Sequence, residues 1–197
     1  KALSWIALHM GKSVKVSRRR GGLIVRYVGN PGNNALALAA HLDHPAFRLL
    51  KVGAGGAQGQ LEGGLPPHLL QGARVEAFAA VPKNNDPLAQ GMLGAGDKDG
   101  RYVITWSHPP AKGARPAFAT LALTPCSVEG GWLSSRSIDD LLGCAVSLEA
   151  LRRLSAARAK TNVTVLLHRA EEVGFMGALD LIAENAIDPA DTVLSIE

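Results

Sequence analysis

The pattern of apolar and polar positions predicts strands in the first part of the chain. Residues 13–18 alternate between polar and apolar side chains, residues 23–28 do so loosely, and Gly21 and Gly22 stand between them. A two-residue alternation is typical of half-buried strands, so these segments predict a β-hairpin. Residues 35–40 are apolar without interruption, which predicts a strand covered on both faces. The alanines in this run leave a buried helix segment open as an alternative.

The last third of the chain alternates between helical and extended patterns. After Asp140, apolar residues recur at steps of three and four, which predicts a helix with one buried stripe. Residues 162–167 predict a strand, residues 174–185 an amphipathic helix and residues 192–196 a last strand. This order is typical of a layered α/β sheet, in which ligand groups collect at the carboxyl ends of strands. The predicted stripe comprises Leu141, Leu142, Ala145, Val146, Leu148, Leu151 and Leu154, and the later helix would direct Phe175, Leu179 and Ile182 to one side.

The middle of the chain has a different character. From about residue 48 to residue 131 it is rich in glycine and proline, lacks helical periodicity and repeats short β-like pieces. We therefore predict an α/β domain in two parts, residues 1–47 and 132–197, interrupted by a small β-rich insert at residues 48–131. A length of 197 residues suits one domain with such an insert.

Composition and charge argue against several classes of protein. Apolar residues make up 47% of the sequence, so the chain can form a core. The net charge is +4, and the one dense basic run, residues 18–20, lies at the predicted hairpin turn without interleaved aromatics. Cys126 and Cys144 form neither a disulfide framework nor a zinc-thiolate motif, and no stretch reaches the ~20 apolar residues of a membrane helix. We expect a cytoplasmic protein that binds neither nucleic acid nor membrane.

Acidic residues and one histidine follow or adjoin the predicted strands. Adjacent like charges are costly in a fold unless a positive group lies between them. Carboxylates and imidazoles are ligands of divalent metal ions, so the pattern predicts a two-metal hydrolase site. Each pair also has an ordinary alternative, because acidic pairs are common at helix N-termini and a lone His-x-Asp is often an unremarkable pair. The residues are His41 and Asp43, Asp139 and Asp140, Glu171 and Glu172, and Glu197.

Three motifs carry a family resemblance. They are AHLD at residues 40–43, SIDDLLG at residues 137–143 and EEVGFMGA at residues 171–178. Together they resemble the co-catalytic metal aminopeptidases of the glutamyl and tetrahedral type, within the zinc exopeptidase superfamily. The resemblance implies a zinc-exopeptidase-like catalytic α/β domain with an inserted β-domain used in assembly. It also implies peptide substrates, removal of their N-terminal residues and a homo-oligomer formed through the insert.

The resemblance implies two divalent metal ions and a set of ligands for them. His41 and Glu197 would bind the first metal, Glu172 the second, and Asp139 would bridge both. The metals would be zinc, with cobalt or manganese as alternatives. The family has a further metal-binding histidine beyond the position of Glu197, where this sequence ends, so we expect a family member that is truncated at its C-terminus. The second metal would then have fewer than the three protein ligands typical of catalytic zinc.

Two further residues have implied catalytic roles. Glu171 would be the general base that takes a proton from the metal-bridging water and passes it to the leaving amine. Asp43 would hold the other ring nitrogen of His41 through its carboxylate. The peptide bond between Asp139 and Asp140 would be cis, as it is in the family. We interpret the other histidines as structural or exposed, namely His9, His44, His68, His108 and His168.

Two alternatives to an aminopeptidase remain open at this point. An amidohydrolase or deacylase of the same superfamily would act on N-acyl amino acids. A binding or assembly module would keep the fold without activity. Leu141 stands where the family usually has arginine, and His44 where it often has glutamate, which bears on substrate preference.

Overall fold

The structure is a computed structural model that describes residues 2–82, 84 and 86–197. The chain divides into two compact units, one made of Lys1–His44 with Ser137–Glu197 and the other of Pro45–Arg136. The predicted α/β elements lie in the first unit, and the glycine- and proline-rich segment, residues 48–131, lies within the bounds of the second. The assignment of the two units as a catalytic domain and an inserted assembly domain stays a prediction.

The helices and strands are numbered in chain order. They are α1 (Ala2–His9), β1 (Val14–Arg19), β2 (Gly22–Val28), β3 (Leu36–His41), β4 (Ala46–Val52), β5 (Gly56–Glu62), β6 (Arg74–Phe78), β7 (Ala89–Gly96), β8 (Arg101–His108), β9 (Phe118–Leu121), β10 (Cys126–Glu129), β11 (Trp132–Ser135), α2 (Ile138–Ala156), β12 (Asn162–His168), α3 (Met176–Ala183) and β13 (Thr192–Ser195). No helix in this described part of the chain combines the length and apolarity needed to cross a membrane.

A five-stranded mixed sheet forms the centre of the first unit. Its strand order is β1-β2-β12-β3-β13, with β2 antiparallel to β1 and β12, and β3 parallel to β12 and β13. The hairpin of β1 and β2 is as predicted, and residues 36–41 form a strand rather than a buried helix. Because β3, β12 and β13 run parallel, their carboxyl ends meet at one edge of the sheet.

Apolar side chains cover both faces of this sheet. Alternate residues of a strand point to opposite faces, so Leu23 and Val165 contribute to one core cluster and Ile24 and Leu166 to another. The first cluster includes Leu148 and Leu151 of α2, and the second includes Leu181 of α3. Each such side chain, when fully buried, stabilises the fold by roughly 1.5–3 kcal/mol. The predicted layering is thus confirmed in part, since the described residues contain many strands and few helices.

The predicted buried stripe of α2 is partly wrong. Leu148 and Leu151 are buried, but Leu141, Leu142 and Val146 are exposed, and Ala145 is exposed as well. Small residues take the buried positions instead, namely Gly143, Cys144 and Ser147. Small side chains let the helix approach β3 closely, which the count of apolar residues could not indicate.

The apolar side predicted for the later helix is exposed in the structure. Phe175, Leu179 and Ile182 are each more than half exposed, whereas Gly177 and Leu181 are buried. A Cβ atom at Gly177 would lie 2.0 Å from the carbonyl oxygen of Arg169. The helix therefore packs through Gly177 and Leu181, whereas Phe175, Leu179 and Ile182 are exposed.

The second unit is a six-stranded closed barrel with a separate hairpin. The barrel order is β4-β5-β8-β7-β6-β9, and β10 pairs with β11. Phe47, Val75 and Ile104 are fully buried inside the unit, and Tyr102 packs edge-on against Phe47 with a distance of 5.3 Å between ring centroids. The predicted insert is thus β-rich. Because its six strands close into a barrel, that sheet has no unpaired edge strands among the described residues.

Candidate metal centre

Three side chains meet at the carboxyl edge of the mixed sheet. His41 ends β3, Asp139 lies in the first turn of α2, and Glu197 follows β13. One ligand atom from each residue lies within 4.8 Å of the other two. The parallel pairing of β13 with β3 brings Glu197 toward His41. One imidazole and two carboxylates are a suitable donor set for a divalent metal ion.

Hydrogen bonds show which ring nitrogen of His41 faces the carboxylate of Asp139. Nδ1 lies 2.9 Å from the main-chain oxygen of Asp43, and a carbonyl oxygen only accepts hydrogen bonds, so Nδ1 carries a proton. Nε2 lies 2.9 Å from Oδ1 of Asp139. In the neutral ring, Nε2 therefore holds the lone pair that a metal ion would need.

Opposing effects act on the protonation of His41. Burial of the ring lowers its pKa, because the charged form loses solvation. The hydrogen bonds with Asp139 and Asp43 and the negative charges of Asp43 and Glu171 raise the pKa, and together they place it above the usual value. The groups around His41 therefore favour a positive charge at this position, as expected of a cation site.

Asp43 has a different role from the predicted one. Its carboxylate oxygen lies 3.7 Å from Nδ1 of His41, and the hydrogen bond to the ring comes from its main-chain carbonyl. The carboxylate instead accepts hydrogen bonds from two main-chain amides, those of Glu171 at 3.2 Å and Glu172 at 3.3 Å. Asp43 thus connects β3 to the turn that carries both glutamates.

That turn places Glu171 close to the site. Ala170 adopts a left-handed conformation with φ of 59°, which a non-glycine residue rarely adopts. Oε2 of Glu171 lies 3.9 Å from Nε2 of His41, and its side chain is 17% exposed. The carboxylate of Glu172 is not part of the group of three that His41 forms with Asp139 and Glu197. The structure therefore brings together three of the four predicted metal ligands, with the predicted base beside them.

Asp140 is buried behind the site. The peptide bond between Asp139 and Asp140 is cis, as the resemblance implies. Asp140 is 1% exposed, and its Oδ2 accepts a hydrogen bond from the main-chain amide of His41 at 3.0 Å. Burial raises the pKa of its carboxyl group, while the hydrogen bond and charge of His41 oppose that rise.

His168 also adjoins the site, although we interpreted it as structural or exposed. It ends β12, pairs in register with His41, and the two ring centroids are 6.1 Å apart. It is 6% exposed, and its buried Nδ1 has no hydrogen-bond partner among the described residues. Burial and the charge of His41 lower its pKa, so the ring is neutral near pH 7. Its position directly after the predicted strand 162–167 is the sequence signal that could have indicated this neighbour.

The two cysteines are expected to differ in reactivity. Cys126 is exposed, whereas Cys144 is buried, and burial with the nearby Asp140 raises the pKa of its thiol to about 12. The thiolate is the reactive form, so Cys144 stays protonated and unreactive at pH 8. We expect Ellman's reagent to titrate one thiol per chain in the folded protein and two in denaturant. Two rapidly reacting thiols in the folded protein would contradict this burial.

Comparison with known proteins supports the family resemblance of the motifs. Residues 117–193 match the model of the M42 glutamyl aminopeptidase family. The resemblance to glutamyl aminopeptidases is therefore confirmed. The matched region contains Asp139, Glu171 and Glu172 of the glutamyl aminopeptidase motifs, while His41 and Glu197 lie outside it. We find no match to the chain among curated proteins.

Solved structures share the fold at low sequence identity. The Pyrococcus horikoshii TET1 peptidase, which can assemble into a tetrahedron or a large octahedral shell, has a TM-score of 0.75 and 22% identity over 99% of this chain and 62% of its own. A TET aminopeptidase from a marine sediment archaeon of the Thaumarchaeota has a TM-score of 0.78 and 16% identity over 100% of this chain and 58% of its own.

A third similar structure carries the name of another activity. It is an endoglucanase from Thermotoga maritima, with a TM-score of 0.64 and 16% identity over 98% of this chain and 58% of its own. At these identities the likeness concerns the fold, so the function has to be argued from the site itself. The chain spans about three fifths of the length of these three structures.

Proposed function

We propose that this chain belongs to a metal-dependent aminopeptidase that removes N-terminal residues from peptides. One observation carries the proposal, namely the convergence of His41, Asp139 and Glu197 within 4.8 Å. The position of Glu171 beside this group adds a candidate base. The family match and the peptidases among the similar structures support a peptidase rather than another hydrolase.

The donor set suits two divalent metal ions, zinc by preference and cobalt or manganese as alternatives. His41, Asp139 and Glu197 would hold the first, and Asp139 with Glu172 would contribute to the second. Such ions, when bound, lower the pKa of a shared water and polarise the scissile carbonyl group. The buried ring of His41 and its fixed lone pair at Nε2 support the first of these assignments.

The residues around the metal ligands would then have separate tasks. Glu171 would accept a proton from the attacking water at its carboxylate and return it to the leaving amine. Asp43 would keep Glu171 and Glu172 in place through their main-chain amides. Asp43 would thus act as a positioning residue, whereas Glu171 would contact the reacting atoms.

The metal and the free amine can be tested together. We expect hydrolysis of leucine and glutamate p-nitroanilides to stop after treatment with EDTA and to return with Zn²⁺, Co²⁺ or Mn²⁺, because the ions activate the water. The measurement is the release of nitroaniline by the same protein before and after reconstitution. The N-acetylated substrates serve as the matched control and are expected to remain intact.

Each other outcome favours a different function. Hydrolysis of an N-acyl amino acid, without hydrolysis of the free-amine substrates, would identify a deacylase. Metal binding without any hydrolysis would identify a binding or assembly module. Activity that survives complete removal of metal would contradict the proposed mechanism.

We also propose that the protein forms a homo-oligomer through its second unit, Pro45–Arg136, which we call the barrel unit. The similar Pyrococcus peptidase can assemble into a tetrahedron or a large octahedral shell, which supports this proposal. The β10–β11 hairpin exposes Trp132 by 78% and Val128 by 72%, and exposed apolar patches are typical of contact surfaces. We expect light scattering to give a mass of several chains and Trp132→Asp to reduce it. Val81→Asp, at another exposed apolar position, is the control. A monomeric parent protein would contradict this proposal.

A further inference from the structure

Two side chains of α2 hold the main chain of His41 on both sides. The main-chain amide of His41 donates to Oδ2 of Asp140 at 3.0 Å, and its carbonyl oxygen accepts a hydrogen bond from Sγ of Cys144 at 3.0 Å. Asp140 lies at a kink near the start of α2, where its φ of -122° and ψ of 31° are not helical, and Cys144 lies in the helix that follows. Asp140 and Cys144 are 1% and 4% exposed, which shields both hydrogen bonds from water.

The packing around Asp140 is adapted to this contact. Its carboxylate also accepts a hydrogen bond from the main-chain amide of Gly143. A Cβ atom at Gly143 would lie 2.0 Å from Oδ1 of Asp140, so a glycine is needed at this position. The carboxylate thus receives two main-chain amides, one from its own helix and one from β3.

We propose that Asp140 and Cys144 are positioning residues that set the distance between His41 and Asp139 in the candidate metal centre. Asp139 precedes Asp140 in the chain, so the same turn of α2 carries one ligand and holds the other. Nε2 of His41 and Oδ1 of Asp139 are already 2.9 Å apart. A site that is arranged before the ion binds loses less entropy on binding and so has a higher affinity. This inference rests on the proposed metal-dependent function.

Cobalt binding tests the proposal, because its visible absorption reports ligand geometry as well as affinity. An asparagine at position 140 can accept only one of the two amides and turns its own N–H groups toward the other. We expect Asp140→Asn to weaken Co²⁺ binding 10- to 100-fold and to change the absorption spectrum, as is typical of residues that support metal ligands. Cys144→Ala should weaken binding less, and Cys144→Ser, which keeps a donor, should restore part of the loss.

A matched control separates this effect from general destabilisation. Ser147 lies on the same helix, is fully buried, and its hydroxyl has no hydrogen-bond partner among the described residues. Ser147→Ala should leave the Co²⁺ affinity and spectrum unchanged. Parent-like affinity and spectrum in both Asp140→Asn and Cys144→Ala would overturn the proposal. If Asp140→Asn does not fold, the comparison of Cys144→Ala with Cys144→Ser decides.

Hydrogen exchange gives a readout that needs no metal. We expect the main-chain amide of His41 to exchange at least about tenfold faster in Asp140→Asn than in the parent protein, because it loses its buried acceptor. Unchanged exchange would overturn the inference. If the parent protein binds no Co²⁺, the proposed function fails, whereas the exchange rate still decides whether Asp140 holds His41.

Discussion

Glu171→Gln is expected to lower the turnover of a free-amine substrate by ~10²–10⁴-fold, the usual contribution of general acid–base catalysis. The glutamine has nearly the same shape but cannot accept the proton of the attacking water. The main-chain amide of residue 171 still donates to Asp43, so the turn should keep its conformation. The first metal should stay bound, because its three proposed ligands are unchanged. Steady-state kinetics and elemental analysis of the same sample measure both quantities.

The control for this variant is Glu62→Gln, the same change at the last residue of β5, whose carboxylate pairs with Arg48. It should leave both turnover and metal content at the level of the parent protein. Full turnover in Glu171→Gln would remove this residue from the role of base. Loss of the metal together with the turnover would instead identify Glu171 as a ligand.

Asp43→Asn is expected to weaken metal binding 10- to 100-fold and to lower turnover at saturating metal as well. The carboxylate accepts the amides of both Glu171 and Glu172, whereas a carboxamide can accept only one of them. The other amide would then face an N–H group of the asparagine, which would lower the free energy of unfolding by about 1–3 kcal/mol. Both glutamates would then move relative to His41. Calorimetric titration with Zn²⁺ and steady-state kinetics test the two effects.

The chain offers a close control for this change. Asp191 also receives two main-chain amides, from Ala35 at 2.7 Å and from Asp188 at 3.2 Å. These contacts lie at the opposite end of β3 from His41, because residue 35 precedes that strand. Asp191→Asn should lower the thermal stability as Asp43→Asn does, but leave the Zn²⁺ affinity unchanged. Equal loss of affinity in the two variants would show that Asp43 acts through general stability alone.

The sequence alone predicted the strands and the places of the acidic residues well. Alternation and apolar runs determine strands locally, so the hairpin and the strand ending at His41 followed from short segments. The strand ends predicted that His41 and Glu197 share one edge, because parallel strands share a carboxyl edge. Asp139 was added to this group by the family resemblance of its motif.

Features that depend on close approach between elements could not be predicted in this way. The buried face of α2 follows small residues such as Gly143 and Ser147, whose importance lies in the distance between helix and sheet. The carboxylate of Asp43 binds amides that are more than a hundred residues away in the chain. Such contacts are set by tertiary structure, and local patterns carry no signal for them.

Zinc bound in crystals tests most directly whether His41, Asp139 and Glu197 bind one metal ion. Crystals of the protein grown with Zn²⁺ should be measured on both sides of the zinc absorption edge. We expect an anomalous difference peak about 2.0–2.2 Å from Nε2 of His41 and from one carboxylate oxygen each of Asp139 and Glu197. A zinc peak elsewhere, or no peak at this position despite zinc bound in solution, would contradict it.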